Sequence, residues 1–131
     1  MIWKCLLVDD EPPALKVLEK YIENVEQLEV AGTCINAFQA IDFLQKHSAD
    51  IIFLDINMPK LNGISFIKTL QHPPKVIFTT AYKEHAADAF ELDAVDYLLK
   101  PISFERFLRA VNKVIHHNKP AAPSAKLPDY N

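Results

Sequence analysis

Two neighbouring aspartates, Asp9 and Asp10, stop an apolar run in the stretch CLLVDDEPPA (Cys5 to Ala14), and two prolines follow at once. Asp55 closes a second apolar run, IIFL; Thr80 and Ala81 follow VIFT, and Lys100 follows DYLL. These are the residue types of a phosphoryl-transfer site. Three carboxylates brought together repel one another, and a divalent cation relieves the repulsion. Mg2+ takes hard oxygen ligands, keeps some of its water, and commonly combines one or two carboxylates with a phosphate oxygen. Aspartate can carry a phosphoryl group as an acyl phosphate, lysine can pair with phosphate as a point charge, and a threonine hydroxyl can bond a phosphoryl oxygen. Asp55 is the best placed nucleophile, the Asp9–Asp10 doublet suits a metal seat, and the small Ala81 leaves backbone space beside Thr80. Each residue alone has a plainer reading: Asp10 as a helix cap, Asp55 as the start of a turn before Pro59, Thr80 as an ordinary strand residue, and Lys100 as a solvated lysine.

Convergence requires elements that bring four distant positions together. Trp3 to Val8 is strand-like, and Leu15, Leu18, Ile22 and Val25 recur at helical spacing after Pro12 and Pro13, which suit a first helical turn. Leu28–Cys34 follows as a strand, Ala37–Lys46 as a helix with Phe38, Ile41 and Leu44 inward, and Asp50–Leu54 as a strand. The loop NMPKLNG leads to a helix from about Ile64 to Leu70, then a strand over Val76–Thr79, a helix over Glu84–Leu92 and a strand over Val95–Leu99. A final helix, capped by Ser103, turns Phe104, Phe107, Leu108, Val111 and Ile115 inward. Five alternations of strand and helix call for a doubly wound α/β fold, a five-stranded parallel sheet with helices on both faces. With strand order 2-1-3-4-5, the first and third strands meet at the switch point, where such sheets bind ligands. Asp9, Asp10 and Asp55 then converge, with Thr80 and Lys100 facing them.

At these residues the sequence resembles the receiver domain of two-component response regulators, through LLVDDEP, IIFLDINMPKLNG, VIFTTAY and DYLLKPI in the family's order. The resemblance covers residues 1–118 and implies a flavodoxin-like fold. It implies that Asp55 accepts a phosphoryl group from the phosphohistidine of a sensor histidine kinase. It further implies that Asp10, Asp55 and the backbone carbonyl of Asn57 hold Mg2+, with Asp9 shaping the acidic pocket. Thr80 and Lys100 match the switch hydroxyl and the phosphate-pairing lysine, Tyr97 the switch aromatic, and the Lys100–Pro101 bond a cis peptide. Asn57 and Tyr82 flank the route by which water would reach the phosphoryl group. The run FTTAYKEHAADAFELDAVDYLLKP is most like receivers of LytTR-type transcriptional regulators, in which a β-rich DNA-binding domain follows. Residues 119–131, KPAAPSAKLPDYN, are therefore expected to form a Pro-rich linker toward such a domain, absent from this chain. The implied output is a change of shape in the face of the fourth helix, fifth strand and fifth helix that controls phosphorylation-promoted homodimerisation, with DNA contacted only through that missing domain.

Composition fits this picture. A chain of 131 residues, half of them apolar, suits one domain with a real core. A net charge of −3 excludes a broad basic nucleic-acid surface. No apolar run approaches a membrane span and no export signal is visible, so a cytoplasmic location is expected and Cys5 and Cys34 should be free, buried thiols. His47, His72, His85, His116 and His117 show no metal-ligand spacing. Two alternatives remain at this stage. One is a Mg2+-dependent phosphohydrolase with an aspartyl nucleophile, which would need its nucleophile after the first strand in a DxD arrangement. The other is a receiver-fold interaction module that takes no phosphate. A dinucleotide-binding fold is excluded, since Gly32 and Gly63 are the only glycines.

Overall fold

In the computed structural model, which describes residues 1–117, the alternating runs form one parallel sheet covered on both faces. The expected linker from residue 119 lies outside the described residues. The strands are β1 (Trp3–Val8), β2 (Leu28–Cys34), β3 (Ile51–Asp55), β4 (Lys75–Thr80) and β5 (Asp96–Leu99). The helices are α1 (Pro12–Glu23), α2 (Ala37–Lys46), α3 (Gly63–Lys68), α4 (Ala86–Glu91, entered through a single 3-10 turn at Lys83–His85) and α5 (Phe104–His117). The sheet order is β2-β1-β3-β4-β5, and every neighbouring pair is parallel. The expected doubly wound topology is the one found.

Side-chain alternation along the strands feeds two cores. Cys5, Leu7, Phe53, Ile77 and Leu98 face α1 and α5. Leu6, Val8, Ile52, Leu54 and Phe78 face α2, α3 and α4. The central strand β3 is buried along its whole length, as a strand covered on both faces must be. On α1, Pro12 and Pro13 occupy the first turn and Leu15, Leu18 and Ile22 form the buried stripe. On α5, the Arg106 amide donates to Ser103 Oγ at 3.1 Å, and Phe107 stacks on Phe53 with ring centroids 5.4 Å apart. Burying each such large side chain contributes about 1.5–3 kcal/mol.

Three expectations need correction. Phe38 does not point inward: it is 54% exposed. Asn36 caps α2 by accepting from the Gln39 amide, so the helix starts at Ala37 and its inner stripe runs through Ala37, Ala40, Ile41 and Leu44. Phe38 lies about 100° round the helix from Ala37; size, not phase, had favoured it. Helix α3 is shorter than expected at its C-terminal end, closing at a Thr69 whose hydroxyl donates to the Phe66 carbonyl. Helix α4 is also shorter, ending before Asp93, which takes a left-handed conformation (φ 59°) that breaks the helix.

Both cysteines are buried and free. Cys5 pairs in register with Val30 and Cys34 with Val8, so the two sulfurs sit three rungs apart, about 10 Å along the strands. That separation is too long for a disulfide.

Candidate functional site

The parallel order places the C-terminal ends of β1 and β3 side by side. Val8 is in register with Leu54, so the next residues, Asp9 and Asp55, lie side by side at the C-terminal edge of the sheet. Asp9 and Asp55 are buried, at 1% and 3% exposure, and Asp10 is half-buried. Each of the three offers a carboxylate oxygen within 4.8 Å of the others. Asp10 is not the cap of α1: the cap position is Glu11, whose side chain makes no capping bond. Asp9 instead accepts the Glu11 amide through Oδ1 at 2.9 Å, which fixes the turn and leaves Asp10 turned to the pocket.

Lys100 reaches this cluster from the β5 edge of the sheet. Its Nζ lies 2.8 Å from Asp9 Oδ2, 3.3 Å from Glu11 Oε1 and 3.6 Å from Asp55 Oδ1. The Lys100 amide donates to the Thr80 carbonyl at 2.7 Å, and the Lys100–Pro101 peptide is cis. Thr80 is fully buried. Its hydroxyl donates to Asn57 Oδ1 at 3.3 Å and accepts from the Tyr82 amide at 3.0 Å. Ala81 and Tyr82 are exposed at the mouth, and half-buried Tyr97 meets the exposed Phe90 ring edge-on, centroids 6.3 Å apart.

The loop from Asp55 to α3 is tightly wound. Lys60 adopts φ 72° while the Leu61 amide donates to the Pro59 carbonyl at 2.8 Å, which makes a γ-turn. The Gly63 amide donates to Ile56 at 2.9 Å, and Asn62 caps α3 through the Ser65 amide at 2.8 Å. Gly63 is pressed against the backbone carbonyl of Asp55.

Burial, and then the charge of Asp9, push the Asp55 carboxyl up to about 7; Lys100 and the Asn57 amide only partly oppose this. Burial works against the charged form of Lys100 as well, yet the hydrogen bond to Asp9 and the charges of Asp55 and Asp9 outweigh it and hold the ammonium above its usual range. One cation thus faces a surplus of carboxylates. Hard oxygens and uncompensated negative charge are what a divalent cation fits. The thiols are no nucleophiles: burial pushes Cys5 up to about 12 and Cys34 up to about 11.

One buried charged cluster escaped the sequence reading. Asp96, 2% exposed, accepts hydrogen bonds from both terminal nitrogens of the Arg106 guanidinium at 2.8 Å and lies 3.0 Å from Lys113 Nζ. Arg106 also donates to the Tyr97 carbonyl at 3.0 Å, tying α5 to β5. The signal was present: Arg106 and Lys113 lie two turns apart on one helical face, beside a strand with an inward acid. Burial alone would raise the Asp96 carboxyl, but Arg106 and Lys113 outweigh it and hold it below the usual range. A depressed folded value means stability that is present above the unfolded value of about 4 and lost as pH falls through the folded one. Arg106→Ala is expected to lower stability in urea unfolding by about 3 kcal/mol at pH 7, with the difference from the parent shrinking below about pH 4. Equal midpoints at pH 7 would show that the pair contributes nothing.

The profile of the response regulator receiver domain matches residues 5–112, a span that contains every residue of this site. The chain belongs to that family. Among curated proteins, the transcriptional regulatory protein BtsR of Salmonella typhi is 40% identical over 113 residues, covering 85% of this chain and 47% of that one. The sensory transduction protein LytR of Staphylococcus haemolyticus is 41% identical over 116 residues, covering 86% of this chain and 45% of that one. The receiver thus spans about half the length of these curated relatives. Among solved structures, the response regulatory domain of mrkE from Klebsiella pneumoniae superposes with a TM-score of 0.79 at 38% identity, covering 87% of this chain and 96% of that one. The REC domain of AraT from Geobacillus stearothermophilus gives 0.80 at 30% identity, covering 89% and 95%. Receiver domains of this family serve phosphorylation-dependent signalling. Among the described residues, no helix is long and apolar enough to cross a membrane.

Proposed function

We propose that Asp55 is the phosphoacceptor and that a sensor histidine kinase is the donor. The observation that carries this is the buried Asp55 carboxylate at the switch point, clustered with Asp9 and Asp10 and reached by Lys100 from the opposite strand. An ionised Asp55 oxygen attacks phosphorus, the P–N bond to the kinase histidine breaks, and the imidazole keeps the electron pair and is protonated by solvent. Asp10, Asp55 and the Asn57 carbonyl would hold Mg2+, with Asp9 completing the acidic pocket. Bound there, the ion would offset charge on the carboxylates and the incoming phosphate. The chain acts on no external substrate; its chemistry is self-phosphotransfer and the hydrolysis that reverses it.

Phosphorylation adds nearly two negative charges and three acceptor oxygens at Asp55. Lys100 pairs with that charge. Thr80 exchanges Asn57 for a phosphoryl oxygen, with Ala81 leaving room beside it, and Tyr97 turns into the space that Thr80 vacates. The α4–β5–α5 face, where Phe90 stands 64% exposed beside Tyr97, then changes shape and favours a homodimer. Transcriptional output, and any contact with DNA, passes through a domain of LytTR type outside this chain, in the cytoplasm. Intact mass after incubation with acetyl phosphate and Mg2+ tests the reading. One added phosphoryl group is expected, dependent on Mg2+ and missing from Asp55→Asn. An adduct that persists in the variant would place the acceptor elsewhere; no adduct and no released phosphate would leave Asp55 without the role.

A further inference from the structure

Thr79, next to the switch threonine, has a side chain that none of this uses. The residue is 1% exposed, and its buried hydroxyl makes no hydrogen bond. A buried hydroxyl without a partner destabilises the state that buries it, and valine would fill the same space without that loss. The sheet register shows what lies nearby. Thr79 is paired with Asp55 on β3 and with Leu98 on β5, so the three side chains share the α1/α5 face. Lys100, two residues beyond Leu98, leaves the strand on that same face. To ion-pair with Asp9 at the end of β1, Lys100 must cross over β4 and β3, which lie between the two strands. Thr79 is the β4 residue on that side of the sheet beneath its path.

We propose that Thr79 is a positioning residue for Lys100, its hydroxyl accepting a hydrogen bond from the ammonium once Asp55 is phosphorylated. In the unphosphorylated chain the ammonium is held toward Asp9, 2.8 Å away, and Glu11, 3.3 Å away, with Asp55 at 3.6 Å, and the Thr79 hydroxyl receives no bond from it. A phosphoryl group on Asp55 draws the ammonium away from Asp9 and Glu11. The shorter reach brings Nζ back toward β4, where Thr79 Oγ1 meets it. Thr79 then has a partner only in the phosphorylated state, and the hydroxyl that weakens one state stabilises the other. This rests on Asp55 being the acceptor.

Thermal melting in Mg2+ with increasing beryllofluoride, a phosphoryl mimic on aspartate, tests it. Thr79→Val is expected to melt at or above the parent without beryllofluoride, yet to need roughly tenfold more of it for half-maximal stabilisation. Thr79→Ser should restore the parental response. In a Lys100→Met background, Thr79→Val should change nothing further. Equal beryllofluoride dependence in parent and Thr79→Val would overturn the inference. So would a variant that loses stability and response together without rescue by serine, which would mark a packing role. A parent that beryllofluoride does not stabilise would refute the Asp55 reading itself, before any Thr79 variant enters.

Discussion

Asp55→Asn should melt at a higher temperature than the parent in metal-free buffer at pH 8, although it lacks the proposed phosphoacceptor. The reason is the carboxyl that burial and the charge of Asp9 raise to about 7. The unfolded chain releases that proton near pH 4, so between about pH 4 and pH 7 the folded state holds a proton that the unfolded state has lost. Stability from this group therefore falls as pH rises across that window and stays low above it. Asparagine keeps the shape, carries no charge and removes the slope. The gain at pH 8 should be on the order of 2 kcal/mol, or several degrees of melting temperature, and should vanish below about pH 4. Mg2+ should stabilise the parent and leave Asp55→Asn much less affected, since the variant lacks one of the carboxylates that would hold the ion. Melting curves for both proteins from pH 4 to 8, with chelator and with Mg2+, measure all of this. A variant that melts below the parent at pH 8 would mean that Lys100 already compensates Asp55 in full. The proposed phosphoacceptor thus weakens the fold that displays it, as functional sites built from like charges do.

The strand order was legible because its cause is local and repeated. Runs such as IIFL and VIFT, buried on both faces, announce a parallel sheet, and polar residues at four strand ends announce where it opens. Asp9, Asp10, Asp55 and Lys100 come together as that order requires, because register at Val8 and Leu54 leaves the chain no other exit for the acids. What stayed hidden depended on phase or on unpaired detail. Phe38 was misplaced because the phase of α2 is set by the Asn36 cap, one residue before the apolar pattern starts. Asp96 escaped because an acid inside a short strand has no visible partner until Arg106 and Lys113 on the following helix are seen to reach it. Glu11 escaped because its role depends on where the ammonium of Lys100 ends, 89 residues away in sequence. The empty hydroxyl of Thr79 cannot be read from a strand that is otherwise ordinary.

Gly63→Ala pits a local gain against a nonlocal clash, and the clash should win. Alanine in place of glycine favours a helix by about 1 kcal/mol, and Gly63 is the first residue of α3. A β-carbon there, however, would run into the backbone carbonyl oxygen of Asp55, with Leu54 Cγ at 3.1 Å behind it. A side chain could rotate away; a carbonyl on a fully buried central strand cannot. Helix α3 must then lift from β3, straining the Gly63–Ile56 hydrogen bond of 2.9 Å and the γ-turn at Lys60. Overpacking of this kind costs about 1–3 kcal/mol, so a net loss of up to roughly 2 kcal/mol remains after the helix gain. The effect on chemistry should be larger than the effect on stability. The residue struck is the proposed acceptor, and a displacement of about 1 Å can slow a positioned reaction roughly a hundredfold. Phosphorylation of Gly63→Ala by acetyl phosphate, followed by intact mass over time, should therefore be slower by that order while the protein still folds cooperatively. A variant more stable than the parent, and phosphorylated as fast, would show that α3 yields freely and that the glycine is there for the turn alone.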